Sequence, residues 1–182
     1  LNESQQKHYA FEPIPPMNKA LSEKYGDKIN LYNCALSNEV GETEFNYVKN
    51  APAYSGIKQR EYNVENPEID KIKVSLKKLD DIINSSDKID FIKIDVEGAE
   101  LNVLKGAKKI IQNSNPIIIF ECGLGSAEFY GTTAEEVYSF FEENGMKLFL
   151  LKSWIKNKSH LQKADFVNIF NQNKEYYFLA SK

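Results

Sequence analysis

Asp95-Val96-Glu97-Gly98 puts two carboxylates two positions apart, between the apolar run Phe91-Ile92-Lys93-Ile94 and a helical pattern beginning at Leu101. Two readings fit these acids equally. In one they complement a helix dipole, at about 0.3–1 kcal/mol each, while Gly98 relieves the turn. In the other, Asp95 points into a cleft, towards a cationic cofactor, a metal or a substrate hydroxyl. A divalent cation that orients a diol would also suit Asp95 with Glu97, because oxygen ligands fit a hard ion, although the spacing does not demand one. Glu12 stands where a first strand would end, and a carboxylate there accepts both hydroxyl hydrogens of a ribose; taken alone it reads more simply as a solvated loop acid. Asn33-Cys34-Ala35-Leu36-Ser37 and Glu121 mark two further strand ends, where ligands bind in open α/β sheets. His160, within the polar segment 152–163, reads as a surface histidine or a general base. His8 is remote from it, and the two make no metal-ligand pattern. Gly123-Leu124-Gly125 follows a strand, but Glu128 occupies the third glycine position of a dinucleotide loop, so a flexible loop beside Glu121 is the simpler reading.

The elements that must position these groups are legible from periodicity. Residues 8–11 read as a strand, stopped by Glu12-Pro13 because proline lacks the donor of a central strand. Pro15 and Pro16 suit the first turn of a helix that ends at Gly26. Residues 29–36 and 41–48 read as strands, and 50–67, full of turn formers, as an excursion over the surface. Leu76, Leu79, Ile82 and Ile83 are spaced as one helical face, and Leu101, Leu104, Ala107, Ile110 and Ile111 as another of about three turns. Residues 91–94 form a short apolar strand. The run 116–122 has no polar alternation, as in a strand covered on both faces. Thr133 and Glu136 are spaced as a capping box, with Gly145 as the stop. Residues 147–151, 166–170 and 176–180 read as three closing strands. Alternating strands and helices predict an α/β architecture, a mainly parallel sheet between helices with antiparallel C-terminal strands, as a single domain over residues 1–182.

Composition excludes several classes. The chain has 182 residues, 27% charged, with a formal charge of −3, which fits a folded globular domain and neither a disordered nor a coiled-coil chain. Only Arg60 among the 23 basic residues is arginine, and no lysine-rich stretch interleaves with aromatics, so nucleic-acid binding is not expected. The longest apolar run, residues 117–120, falls far short of the ~20 residues of a membrane helix, and the polar residues 1–7 do not read as a signal peptide. Cys34 and Cys122 lie in apolar runs, which favours reduced thiols and a cytoplasmic setting; their pairing stays open at this stage.

Three ordered blocks resemble the FkbM family of S-adenosylmethionine-dependent methyltransferases. They are Tyr9-Ala10-Phe11-Glu12-Pro13; Asn33-Cys34-Ala35-Leu36-Ser37 with Gly41 after it; and Phe91-Ile92-Lys93-Ile94-Asp95-Val96-Glu97-Gly98-Ala99-Glu100, continuing through Val103-Leu104-Lys105-Gly106-Ala107. Leu79-Asp80-Asp81 matches as well. The resemblance implies a Rossmann-like class I methyltransferase sandwich that binds S-adenosylmethionine. It implies Glu12 on the cofactor ribose, the segment from Asn33 through Ala35 to Leu36 against the adenine, and Asp95 facing the methionine end. Residues 50–59, with Ser55-Gly56, resemble the stretch that closes over the cleft. The activity implied is O-methylation of a sugar or natural-product hydroxyl, with Asp95, Glu97, Glu121 and His160 as candidate bases. The partner expected is thus a small-molecule or glycan hydroxyl.

The family's first strand, helix and glycine-rich DxGxNxG loop have no counterpart in these residues. In nucleotide-binding βαβ units the ribose acid lies about 20 residues beyond that loop, and Glu12 has eleven residues before it. The expectation is that the loop falls upstream of Leu1, with residues 2–7 as the connection into the first strand, because losing a central strand would bare the edges of its neighbours. The competing expectations are a non-catalytic sugar- or protein-binding module on the same fold, with a lost cofactor cleft, and a nicotinamide dehydrogenase, which would require a GxGxxG loop.

Overall fold

The computed structural model describes residues 7–84 and 86–182, so most of the 2–7 connection lies outside the described residues. Strand β1 (Tyr9–Phe11) ends before Pro13, and helix α1 (Pro15–Tyr25) opens on two prolines whose absent N–H groups fall among its unpaired first donors. Gly26, at φ 52°, stops it. The stretch 29–36 divides where one strand was expected. Strand β2 (Asn30–Tyr32) pairs in parallel with β1, while β3 (Ala35–Leu36) joins another sheet. Asn33 sits at the break, its amide donating to the carbonyls of Glu12 at 2.8 Å and Pro13 at 3.1 Å, which turns the chain out of the first sheet.

Strand β4 (Gly41–Val48) has the expected bounds and runs antiparallel to β5 (Ile69–Lys77). Strand β5 is a correction to the helical face read from Leu76. Ile72, Val74 and Leu76 alternate with Lys71, Lys73 and Ser75, and this two-residue period prevails until helix α2 (Leu79–Ile82), a single turn. Strand β6 (Phe91–Ile94) leads through residues 95–99 into α3 (Glu100–Gly106) and α4 (Lys108–Ser114). The expected three-turn helix is broken at Ala107 for a visible reason. Asp80 takes the first free donors of α4, accepting from the backbone of Lys109 and Ile110 at 3.0 Å each. Gly106 lies so close to the Ser37 carbonyl that a Cβ there would collide with it.

Strand β7 (Ile117–Glu121) is followed by α5 (Ala134–Glu143), which starts on the expected capping box: the Glu136 backbone donates to Thr133 Oγ1 at 3.3 Å, and Thr133 N donates back to Glu136 Oε2 at 3.0 Å. Strand β8 (Lys147–Leu150), helix α6 (Leu151–Ile155), helix α7 (Lys163–Asn171) and strand β9 (Tyr177–Ser181) complete the chain. Helix α7 corrects the strand expected over 166–170. Phe166 and Phe170, four residues apart, share one buried face, and Phe166 packs edge-on against Phe178 at 4.8 Å.

The fold is the expected mixed α/β type. Strand β6 pairs in parallel with β7, while β9 lies antiparallel between β7 and β8. The main core forms on this sheet, where Phe120 stacks on Phe141 of α5 at 5.0 Å and lies 5.8 Å from Phe178. Strands β3, β5 and β4 make a third sheet beside this one and the β1–β2 pair, with a smaller apolar cluster around Ile14, Phe45 and Val74. Both cysteines are buried and free, which settles the open pairing. No helix among the described residues is long and apolar enough to cross a membrane.

Among the described residues β1 pairs only with β2, and β6 only with β7. A cleft of about 1160 Å³ runs along the whole length of both β1 and β6. Their amino ends are tied together: Tyr9 Oη donates to Asp87 Oδ2 at 2.7 Å, and Lys7 pairs with the other Asp87 oxygen at 2.7 Å. The residues that follow the two strands, Glu12 and Asp95, both line this cleft. Asp80→Ala strips two helix donors of a charged acceptor and is expected to cost about 1–3 kcal/mol. Urea unfolding measures it, and a wild-type midpoint would mean that α4 does not depend on this cap.

Candidate functional site

The turn leaving β6 is built around a buried acid. Glu100 is 2% exposed, and its Oε1 accepts from the backbone of Val96 at 3.2 Å and Gly98 at 3.1 Å. Its Oε2 has no hydrogen-bond partner among the described residues, and burial raises its carboxyl above the ordinary value, since an isolated charge is costly there. Two consecutive residues of the turn hold left-handed backbone, Glu97 at φ 59° and Gly98 at φ 106°. A Cβ at Gly98 would drive into the Ser126 carbonyl and the Tyr130 ring, so the turn is fitted closely against the 123–131 loop. The bonds of Glu100 to both flanking N–H groups help to hold a non-glycine residue in this conformation at position 97.

That strained backbone fixes where the Glu97 side chain goes. Its carboxylate accepts from the Arg60 guanidinium, which belongs to the strap formed by residues 50–67. Burial pushes the Glu97 carboxyl up to about 7; Arg60 opposes that rise, while Asp95, Glu121 and Glu100 add to it. Asp95 lines the cleft beside it, more exposed, and pairs with Lys93 at 2.7 Å. At the other strand end, Glu12 also lines the cleft; its Oε1 accepts from Ile14 N at 2.8 Å, and burial raises its carboxyl as well.

The residues expected at the site thus divide. Glu12, Ala35, Leu36, Asp95 and Glu97 line one cleft. Asn33 lies outside that lining and holds the Glu12 and Pro13 carbonyls instead. Glu121 also lies outside it, opposite Tyr177 in the β7–β9 register, where it holds the Tyr177 phenol above its ordinary value. His160 is placed away from these groups, against the Phe149 ring and 3.1 Å from Gln162. A divalent cation does not fit the pair Asp95 and Glu97. Each already has a cationic side chain as its partner, and no group of three His, Cys, Asp or Glu side chains among the described residues converges as a metal set would.

Sequence reasoning passed over three contributors. Glu100 was read as part of a motif, with no sign that it would be the buried anchor of the turn. Tyr130 accepts from the backbone of Lys58 at 3.1 Å and so ties the strap to the 123–131 loop. Arg60 stacks over the Tyr54 ring at 5.2 Å while bonding Glu97. The available signal was its being the one arginine in a lysine-rich chain, since a planar, weakly hydrated guanidinium suits a half-buried pair better than an ammonium does.

Because the Glu97 carboxyl is raised from 4.5 to about 7, the native state holds its proton longer than the unfolded chain does. Stability from this group is therefore greatest below 4.5 and falls as pH rises to 7, by an amount on the order of 2 kcal/mol. Glu97→Gln should flatten that part of the stability profile, measured by urea unfolding between pH 4.5 and 7. A variant whose slope matches the wild type would show that Glu97 does not titrate in this window.

Comparison with known proteins bears on the same residues. The family model described as the methyltransferase FkbM domain matches residues 1–148, a span that includes Glu12, Asn33 and the whole 95–100 turn. The protein is 30% identical to methyltransferase sdnD of Sordaria araneosa, over 56% of this chain and 51% of that one, so it spans about half the length of this curated relative. Its fold is similar to the crystal structure of methyltransferase FkbM from Methylobacillus flagellatus KT, with a TM-score of 0.50 at 15% identity, covering 97% of this chain and 36% of the other. With more than half its length matched by that family model, the chain belongs to the FkbM family of methyltransferases.

Proposed function

We propose that the protein is an S-adenosylmethionine-dependent O-methyltransferase whose substrate is a hydroxyl group on a sugar or other small molecule, acting as one domain in the cytoplasm. The observation that carries this reading is the convergence of Glu12 with Asp95 and Glu97 on a single cleft between β1 and β6. Two buried, unpaired thiols support the reducing setting.

The cleft's lining fits such a cofactor. Glu12 has one oxygen engaged by Ile14 N, which fixes the carboxyl group and leaves its second oxygen for a ribose diol. Ile14, Ala35, Leu36 and Phe45 offer an apolar wall for a flat base. Asp95 supplies negative charge near a sulfonium. When bound, the cofactor supplies a methyl group whose C–S bond breaks as the new C–O bond forms, leaving a neutral thioether. Glu97 accepts the proton that the attacking hydroxyl loses and later returns it to water. A carboxylate held near 7 suits that task, because it is both partly ionised and basic at neutral pH. The strap and the 123–131 loop, joined through Lys58 and Tyr130, exclude water and help orient the two reactants, an effect that reaches about 7–11 kcal/mol in well-aligned cases.

Calorimetric titration of S-adenosylmethionine into the full-length protein tests this reading. Saturable binding is expected, weakened at least about tenfold by Glu12→Ala, the equivalent of one charged hydrogen bond. No saturable binding at millimolar cofactor would point to a non-catalytic module on this fold.

A further inference from the structure

One basic residue in 23 is an arginine, and the fold sets it against Glu97, a residue of the cleft lining. Its side chain is 13% exposed, whereas those of the pairing lysines Lys71 and Lys88 are 61% and 77% exposed. Within the strap, the Arg60 guanidinium lies over Tyr54 and bonds the Glu97 carboxylate, while its buried Nε has no acceptor among the described residues. Glu97 is therefore the acceptor that holds this group in place.

The strap does not need Arg60 to stay down. Asn46 and Gly56 exchange backbone hydrogen bonds at 2.9 and 3.1 Å, and Lys58 N donates to Tyr130 Oη at 3.1 Å. Asn50 bonds the backbone of Asn66 and Glu68 at 3.1 Å each, closing the base of the excursion. An arginine that the loop can do without for its anchoring is free to serve the carboxylate it touches.

We infer that Arg60 is a positioning residue for the reaction, fixing the Glu97 carboxylate at the cleft in its ionised, proton-accepting form. This rests on Glu97 being the acceptor proposed above. The charges facing Glu97 make the case: Asp95 from its own turn, Glu100 from α3 and Glu121 from the end of β7 are all acidic and all disfavour its ionisation. Lys93 is committed to Asp95, and the Tyr130 phenol is neutral. Arg60 alone among these groups offsets burial and three neighbouring acids. Without it the carboxyl would carry its proton at neutral pH and could not take one from a substrate hydroxyl.

Carbon-13 NMR of protein labelled at the glutamate carboxyl carbon reads this directly, with the Glu97 signal identified by its loss in Glu97→Gln. The wild-type midpoint is expected at about 7. In Arg60→Gln, which keeps a hydrogen-bonding side chain on the anchored strap, the midpoint should rise to about 8 or above, as an opposite charge at contact distance contributes one pH unit or more. Arg60→Lys, which restores the charge without the planar fork, should bring it part of the way back to the wild-type value. A midpoint in Arg60→Gln at or below that of the wild type overturns the inference, and so does Arg60→Lys behaving like Arg60→Gln, because a purely structural role is blind to charge. Failure of cofactor binding would instead refute the methyltransferase reading and leave this titration unchanged.

Discussion

A carboxylate buried where water cannot reach it must find donors, and Glu100 finds them in the two backbone N–H groups on either side of Glu97. The site follows from that constraint. The bonds close the turn so tightly that Glu97 and Gly98 take left-handed backbone, and Gly98 is the residue that permits contact with Ser126 and Tyr130. With the turn closed, the Glu97 side chain meets the strap, and the strap meets the 123–131 loop through Tyr130. Replace Glu100 by a residue that cannot accept, and the chain leaving β6 has no reason to present Glu97 to the cleft.

Electrostatics at the cleft is a contest among a few groups. Burial and a crowd of acids press Glu97 towards its neutral form, and one guanidinium presses back. Glu12, at the far side, is raised by burial and steadied by Ile14 N. Carboxylates held this way are expensive to bury and suit a site better than a scaffold; the sheet core, by contrast, is built around the aromatic rings of Phe120, Phe141, Phe166 and Phe178.

Much of this was readable from the sequence, for definable reasons. The strand–acid–glycine–helix order around Asp95 and the Thr133 capping box are local patterns, and local patterns survive folding. The stretch 166–170 misled because five residues, four of them aromatic or β-branched, fit a short buried strand as well as the Phe166/Phe170 face of a helix, and the packing of Phe166 on Phe178 belongs to the helix. Residues 69–77 hid a strand because its last inward residue, Leu76, also falls at helical spacing from Leu79, Ile82 and Ile83. The break at Ala107 comes from Asp80, 27 positions earlier, and no local rule reports a cap supplied from such a distance. At the site, Glu12, Ala35, Leu36, Asp95 and Glu97 were within reach of motif reading. The Arg60–Glu97 contact, 37 residues apart, was not, and nor was the placement of His160 against Phe149 rather than in the cleft.

The account stands on the cleft between β1 and β6 being the place where a sulfonium nucleoside is held. A crystal structure of the full-length protein with S-adenosylhomocysteine, the demethylated product, tests this most directly. The ribose should lie within hydrogen-bonding distance of Glu12 and the sulfur end should face Asp95. Product bound elsewhere on the protein, or turned so that its ribose does not meet Glu12, would contradict the account.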